Sequence, residues 1–428
     1  MTEDFLYFLW QFRYFRHLDL RTEEGQPLTI RHPGHRNRHS GPDFINARLL
    51  IGDVEWVGTV EAHLRTSDWQ AHRHQHDQAY DNVILHLVWE NDRLTPQCRT
   101  DGTPIPTLSL RHRTDEALLR RYEALLQESG IIPCAGRFGD VEPLRRTAMI
   151  DHALLQRLQR KAETVLQVFA RTRQDWEETA YQTIAAAFGF GVNAEPFARL
   201  SRYLPLKIIY KHRDNRMQVE ALLIGMAGLL DNPNETDDYL ENLRREYRFL
   251  SVKYNLDENQ LPAHVWKWGG LRPAGFPTLR LAQFAGLLSD QPGLMSLTLT
   301  EEPTQLLSHL RVVPSAYWQT HYRFGKPAAR LSSTLGETAV HHLIINAIVP
   351  ILAAYAGHRR DDACRDRAIN LLESLPAEDN RVTRIWKDLS LEVRSAFDSQ
   401  GAIELYTQFC QQKRCMSCQI GLSLIRRA

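Results

Sequence analysis

Apolar positions near the start of the chain recur at helical spacing. Phe5, Leu6, Leu9, Trp10 and Phe15 can share one side of residues 2–16, and Thr2 stands where an N-cap belongs, so an amphipathic helix is expected there. A polar stretch with Gly and Pro follows, and the period then shortens. FINARLLI at 44–51 and VEWVGTVEAHLR at 54–65 predict two strands joined through a turn at Gly52-Asp53. VILHLVW at 83–89 predicts a buried strand ending at a turn at Asn91-Asp92, with a short helix somewhere in 68–80 before it. Beyond the proline-punctuated 104–106 the helical period returns in 114–127, 141–171, 174–188 and 216–230. A Trp-, Pro- and Gly-rich insert at 264–288 breaks the helices and starts a new one near Pro277-Thr278. Others are expected at 302–310, 337–356, 365–374 and 395–413. The pattern predicts an α+β chain: an N-terminal α/β module over 1–110, a mainly α-helical domain over 111–394, and a C-terminal helix with a cysteine-bearing tail over 395–428.

Composition narrows the class. A chain of 428 residues is too long for one ordinary core, and 43% hydrophobic with 24% charged residues fits a folded globular protein, not a disordered or fibrous one. The formal net charge of +1 gives no global basic excess, so any nucleic-acid partner must meet a local patch such as 31–38, 110–121 or 156–161. The N-terminus lacks the basic start and cleavage site of a signal peptide, and no uninterrupted apolar run reaches the roughly 20 residues of a membrane span. A cytoplasmic protein without a membrane partner is therefore expected.

Candidate chemistry concentrates between residues 43 and 86. Asp43 lies just before the first strand of the hairpin, and Glu61 and His63, two apart on the second, project from the same face. Hairpin pairing brings Asp43 beside them. Two carboxylates suit a hard cation, Mg²⁺ or Mn²⁺, which can activate water. The alternative is that Asp43 ends a turn while Glu61 and His63 line a solvent face. His72, His74, His76 and Asp77 follow closely, a density suited to a transition metal or to proton transfer. On a helix His72 and His76 would share a face. His86, between Leu85 and Leu87, reads as a core or edge histidine.

Cys410, Cys415 and Cys418 are spaced C-x4-C-x2-C, an arrangement able to bind Zn²⁺ or an iron–sulfur cluster if Cys364, Cys134 or a histidine supplies a fourth ligand. They read equally as small buried residues of a C-terminal helix. Trp266, Trp268 and Arg272 offer planes on which bases stack, or a plug between helices.

The order helix, Asp-bearing strand, Glu-x-His strand, helix, strand resembles the core of the PD-(D/E)XK nuclease superfamily, with Pro42-Asp43 as its PD and Glu61-Ala62-His63 as its (D/E)XK. The resemblance implies a restriction-endonuclease-like fold in which Asp43 and Glu61 hold the metal. It places His63 where that superfamily has a water-orienting Lys, and it gives Glu3 or Asp4 of the first helix an assisting role. Over nearly its whole length the chain also looks like a bacterial family known as domain of unknown function 2851. The residues carrying that likeness are GPDF at 41–44, WVGTVEAHLRTSDWQAHRHQHD at 56–77, WKWGGLRPAGFPTLRLAQFA at 266–285 and FCQQKRCMSCQIG at 409–421. The expected function is a metal-dependent phosphodiesterase or nuclease, with His72, His74 or Asp77 completing the site. Its rivals are a non-catalytic nucleic-acid or protein-binding module on a degenerate nuclease core, and a hydrolase of another substrate with zinc at His63, His72 and His74.

Overall fold

Helix α1 (Glu3–Phe12) buries Phe5, Leu6, Phe8, Leu9 and Trp10. It is shorter than its apolar period suggests, because Arg13 turns left-handed (φ 56°) and its N–H closes on the carbonyls of Leu9 and Trp10. Phe15 is buried all the same, stacked on Trp10 from outside the helix. The computed structural model describes residues 2–37, 40–93, 95–128, 130–231, 237–328 and 333–426.

Strands β1 (Leu28–His32), β2 (His35–Arg36), β3 (Phe44–Ile51), β4 (Val54–Arg65), β5 (Val83–Glu90) and a short strand at Thr107–Ser109 form one mixed sheet. β1, β3 and β4 are antiparallel neighbours, whereas β4 and β5 are parallel and the Thr107–Ser109 strand runs parallel to β5. β1 and β2 fall in the stretch that reads as polar loop. Between β4 and β5 the expected helix is only α2 (Asp68–Ala71), followed by two 3₁₀ turns at His74–His76 and Gln78–Tyr80. Arg73, left-handed at φ 62°, breaks the helix, so His72 and His76 do not share a helical face. A mainly helical region follows, and the α+β reading of the chain holds at that level.

Two compact units result. One comprises residues 1–149, 389–391 and 405–428; the other comprises 150–388 and 392–404. The second is built around the helix Pro277–Asp290, buried on every side from Pro277 to Leu288 except at Arg280, as expected of a helix that is apolar nearly all round. The helix Glu337–Arg359 has the length and apolarity of a membrane span, yet 67% of its most apolar window is buried inside this unit. Trp266 is also core: it is 3% exposed and its indole N–H donates to the Ala227 carbonyl at 2.8 Å, which makes it a plug and removes it as a base-stacking platform.

Gly225, on the helix Arg216–Met226, lies against the helix Asp238–Tyr254, where an added Cβ would stand 2.2 Å from the Tyr247 ring. Gly225→Ala should therefore destabilise the protein by about 3 kcal/mol despite alanine's better helix propensity. Denaturant unfolding checks this, and an unchanged midpoint would mean that Tyr247 moves aside freely.

Candidate functional site

The two faces of the sheet differ. α1 packs over the face that carries Val60, Ala62, Leu85 and Leu87, with Phe5 edge-on to Trp89. On the other face, Glu61 sits opposite His86 across the parallel β4–β5 pair, and His63 follows two residues on. The crossover from β4 to β5 covers this face and closes over it with fully buried Trp69, whose ring lies 5.2–5.3 Å from those of His86 and His74. Glu61 and His63 are 6% and 2% exposed, so they line an interior, which overturns the solvent-face alternative.

The antiparallel register Phe44↔Val60 delivers Asp43 to Glu61. The Asp43 N–H donates to Glu61 Oε2 at 3.0 Å and the Ala62 N–H donates to Asp43 Oδ2 at 3.1 Å. The other Asp43 oxygen accepts from Arg36 Nη1 at 2.5 Å. The Arg36 guanidinium lies 3.5 Å from the centre of the Tyr7 ring, and the Tyr7 hydroxyl donates to Glu3 at 3.2 Å. Of the two acidic candidates on α1, Glu3 reaches the site and Asp4 is exposed. A chain of contacts thus runs Glu3, Tyr7, Arg36, Asp43, Glu61.

Imidazoles occupy the other side of Glu61. Its Oε1 lies 3.5 Å from His63 Nε2 and 3.6 Å from His74 Nε2. His63 joins His86 through Nδ1 at 2.9 Å and His72 through Nε2 at 3.1 Å. One ring nitrogen from each of His63, His72 and His74 falls within 4.8 Å of the others. His74 Nε2 is buried with no hydrogen-bond partner, and its ring stacks on Tyr80 at 3.7 Å. The left-handed turn at Arg73 lets His72 and His74 approach His63 together. His76 is exposed and outside the cluster. Asp77 uses its carboxylate to cap the Ala79 N–H at 2.9 Å, within electrostatic range of His74.

Burial sets the protonation of these groups. It pushes Glu61 up to about 8, helped by the negative charge of Asp43. Asp43 is raised by burial as well, against the pull of Arg36. Burial lowers His63 to about 2 and His86 to about 3, each reinforced by neighbouring imidazoles, and lowers His74 to about 4. These rings are neutral at pH 7, which is the form that ligates metals. His86 is the core histidine its sequence suggests, and it also orients His63 through the second ring nitrogen. Arg36, Tyr7, Trp69 and Tyr80 complete the site without any spacing signal that would have singled them out.

Much of the basic sequence is spent on structure. Arg111 pairs with Glu90, Arg120 with Glu116, and Arg121 donates to the Ile425 carbonyl. Arg157 and Arg160 both pair with Glu404. In the patch at 31–38, Arg36 belongs to the site and Arg38 lies outside the described residues. Cys410, Cys415 and Cys418 are buried free thiols. No curated protein and no solved structure matches the chain. Residues 3–381 match the family described as protein of unknown function (DUF2851), and the chain belongs to that family.

Proposed function

We propose that the protein is a metal-dependent hydrolase in which His63, His72 and His74 hold a divalent transition metal, Glu61 is the general base, and the substrate class is a phosphodiester. The observation that carries this reading is the convergence of three imidazole nitrogens within 4.8 Å beside a buried carboxylate. The donors fit: imidazoles suit zinc, and buried His74 Nε2 makes no hydrogen bond. A bound ion would supply Lewis acidity and ease deprotonation of a water. Glu61 Oε1 faces His63 and His74, so it is placed to take a proton released there. Its proton affinity, raised to about 8, matches a base and acid working near neutrality. Asp43 positions Glu61 through its backbone N–H and leaves its own oxygens to Ala62 and Arg36.

The basis of the phosphodiester class is the likeness read from the sequence, an Asp-bearing strand followed by a Glu-x-His strand, and its support is the adjacency of Asp43 and Glu61, whose carboxylate accepts from the Asp43 N–H. The same adjacency favours a second reading, in which Asp43 and Glu61 hold Mg²⁺ or Mn²⁺ and His63 orients water. That reading requires Arg36 to release Asp43.

Metal-depleted protein titrated with Zn²⁺, Mn²⁺ and Mg²⁺, then assayed on labelled single- and double-stranded DNA and RNA, separates the two. One zinc equivalent should bind, at least ~100-fold more weakly in His63→Ala and His74→Ala, since even outer partners of metal ligands are worth 10–100-fold. Mg²⁺-dependent cleavage that survives His74→Ala but not Asp43→Ala would establish the second reading. Metal binding without turnover on any substrate would leave a binding module.

A further inference from the structure

Four of the six cysteines are buried in the first unit: Cys134, Cys410, Cys415 and Cys418, all free thiols. Cys134 precedes the 3₁₀ turn Ala135–Asp140, which packs on the helix Gln419–Arg426 that begins right after Cys418. Cys410 ends a π turn (Leu405–Cys410) and Cys415 opens the 3₁₀ turn Cys415–Ser417. Backbone bonds curl the segment between them tightly: the Lys413 N–H donates to the Cys410 carbonyl at 3.0 Å, and the Cys418 N–H to the Cys415 carbonyl at 3.3 Å. Gly421 makes the curl possible, since a Cβ there would stand 2.4 Å from the Cys415 carbonyl oxygen. Lys413 anchors the loop by donating to the Leu126 carbonyl at 2.9 Å.

The fold gathers the four cysteines in one region, since the turn that follows Cys134 packs on the helix that follows Cys418 and a single tight curl carries Cys410, Cys415 and Cys418. Cys410 is within electrostatic range of Cys418, Cys134 and Cys415, and Cys134 within range of Cys418 and Cys415. Cys364, the other fourth-ligand candidate of the sequence, belongs to the second unit, where its charged neighbours are Asp361 and Arg367. A tetrahedral zinc with Zn–S bonds of about 2.3 Å holds its sulfurs only ~3.8 Å apart. Among the described residues, no three cysteines bring their sulfurs within 4.8 Å of one another. Four buried thiols gathered in one region without that close packing suit a larger polynuclear centre, whose iron atoms each take one thiolate. Lys413, close enough to Cys415 to favour its thiolate, offsets part of the negative charge such a centre brings.

We infer that Cys134, Cys410, Cys415 and Cys418 are the four ligands of an iron–sulfur cluster that fastens the C-terminal segment 405–426 within the first unit. The cluster is independent of the histidine site, because it shares no ligand with it. The test is anaerobic purification of the full chain, followed by iron, zinc and acid-labile sulfide analysis and visible absorption spectra. Iron and sulfide should be present in about equal amounts, with the broad visible absorption of a cluster. Both should fall at least tenfold in Cys134→Ser and Cys418→Ser, and stay unchanged in Cys364→Ser and in His74→Ala. A single zinc without sulfide, or iron and sulfide that persist in Cys134→Ser, would overturn the assignment. Should the serine variants not fold, the metal and sulfide content of the native protein decides the question alone.

Discussion

Glu61→Gln is expected to abolish turnover and, at the same time, to stabilise the metal-free protein at alkaline pH. The catalytic half rests on the proposed function, in which Glu61 is the base, and the loss of such a base typically costs 10²–10⁴-fold. The stability half follows from linkage. Glu61 ionises near 4.5 when unfolded, but burial and the neighbouring Asp43 push it up to about 8 in the folded chain. Between those values the folded state binds the extra proton, so stability falls as pH rises from about 4.5 through about 8, and the full penalty stands above it. Glutamine carries no such penalty and can still accept the Asp43 N–H. The two proteins should melt alike near pH 4.5, with the variant ahead by roughly 2–4 kcal/mol above pH 8. Thermal melts of both proteins across pH 5–9 measure this, and parallel curves would show that Glu61 is not held in a raised state.

Glu404→Ala should cost about 3–5 kcal/mol, the usual result of stripping one partner from a buried ion pair. The Glu404 side chain is 2% exposed and accepts from Arg157 Nη1 at 3.0 Å and Arg160 Nη2 at 2.7 Å. Removing it strands Arg157, itself only 15% exposed, and leaves Gln400 as its side-chain acceptor. Burial pushes the Glu404 carboxyl up, but hydrogen bonds and charge from Arg160 and Arg157 outweigh burial and hold it below its ordinary value. The contribution is therefore complete above about pH 4.5 and fades as pH falls through the folded-state value. Urea unfolding at neutral and acidic pH reads the prediction directly. A deficit that stays constant down to pH 3 would mean that Glu404 acts through packing, not charge.

Residues 44–65 were legible from the sequence because β3 alternates buried and more exposed positions from Ala47 to Ile51 and the turn sits at Gly52-Asp53; both strands fall where the pattern puts them. The strand at 83–90 was legible as a continuous apolar run, as a strand covered on both faces must be. β1 was lost because it is short and half of it faces solvent. The helix Asp238–Tyr254 was lost behind its charged residues, although Asp237 caps it and Leu240, Leu243, Tyr247 and Leu250 keep the helical period. In the site, the meeting of Asp43, Glu61 and His63 was readable from strand alternation and hairpin pairing. Histidine density also singled out His72 and His74 as partners of His63, but not the path that joins them, which depends on a left-handed Arg73 that nothing in the residue type announces. Arg36 was likewise unreadable as a partner of Asp43, since only the pairing of β2 with β3 aligns them.

The parallel pairing of β4 and β5 obliges the chain between Arg65 and Val83 to travel the length of the sheet before it can re-enter. That passage holds little regular structure, only four residues of α-helix and two single turns. It nevertheless carries His72 and His74, while His63 stays on the rigid strand beneath. An ion gripped by all three would act as a latch, tying this irregular strap to the framework. Ion occupancy and the opening of this strap would then be two readings of one equilibrium, so that amide exchange across residues 66–82 would slow in proportion to how tightly the metal is bound.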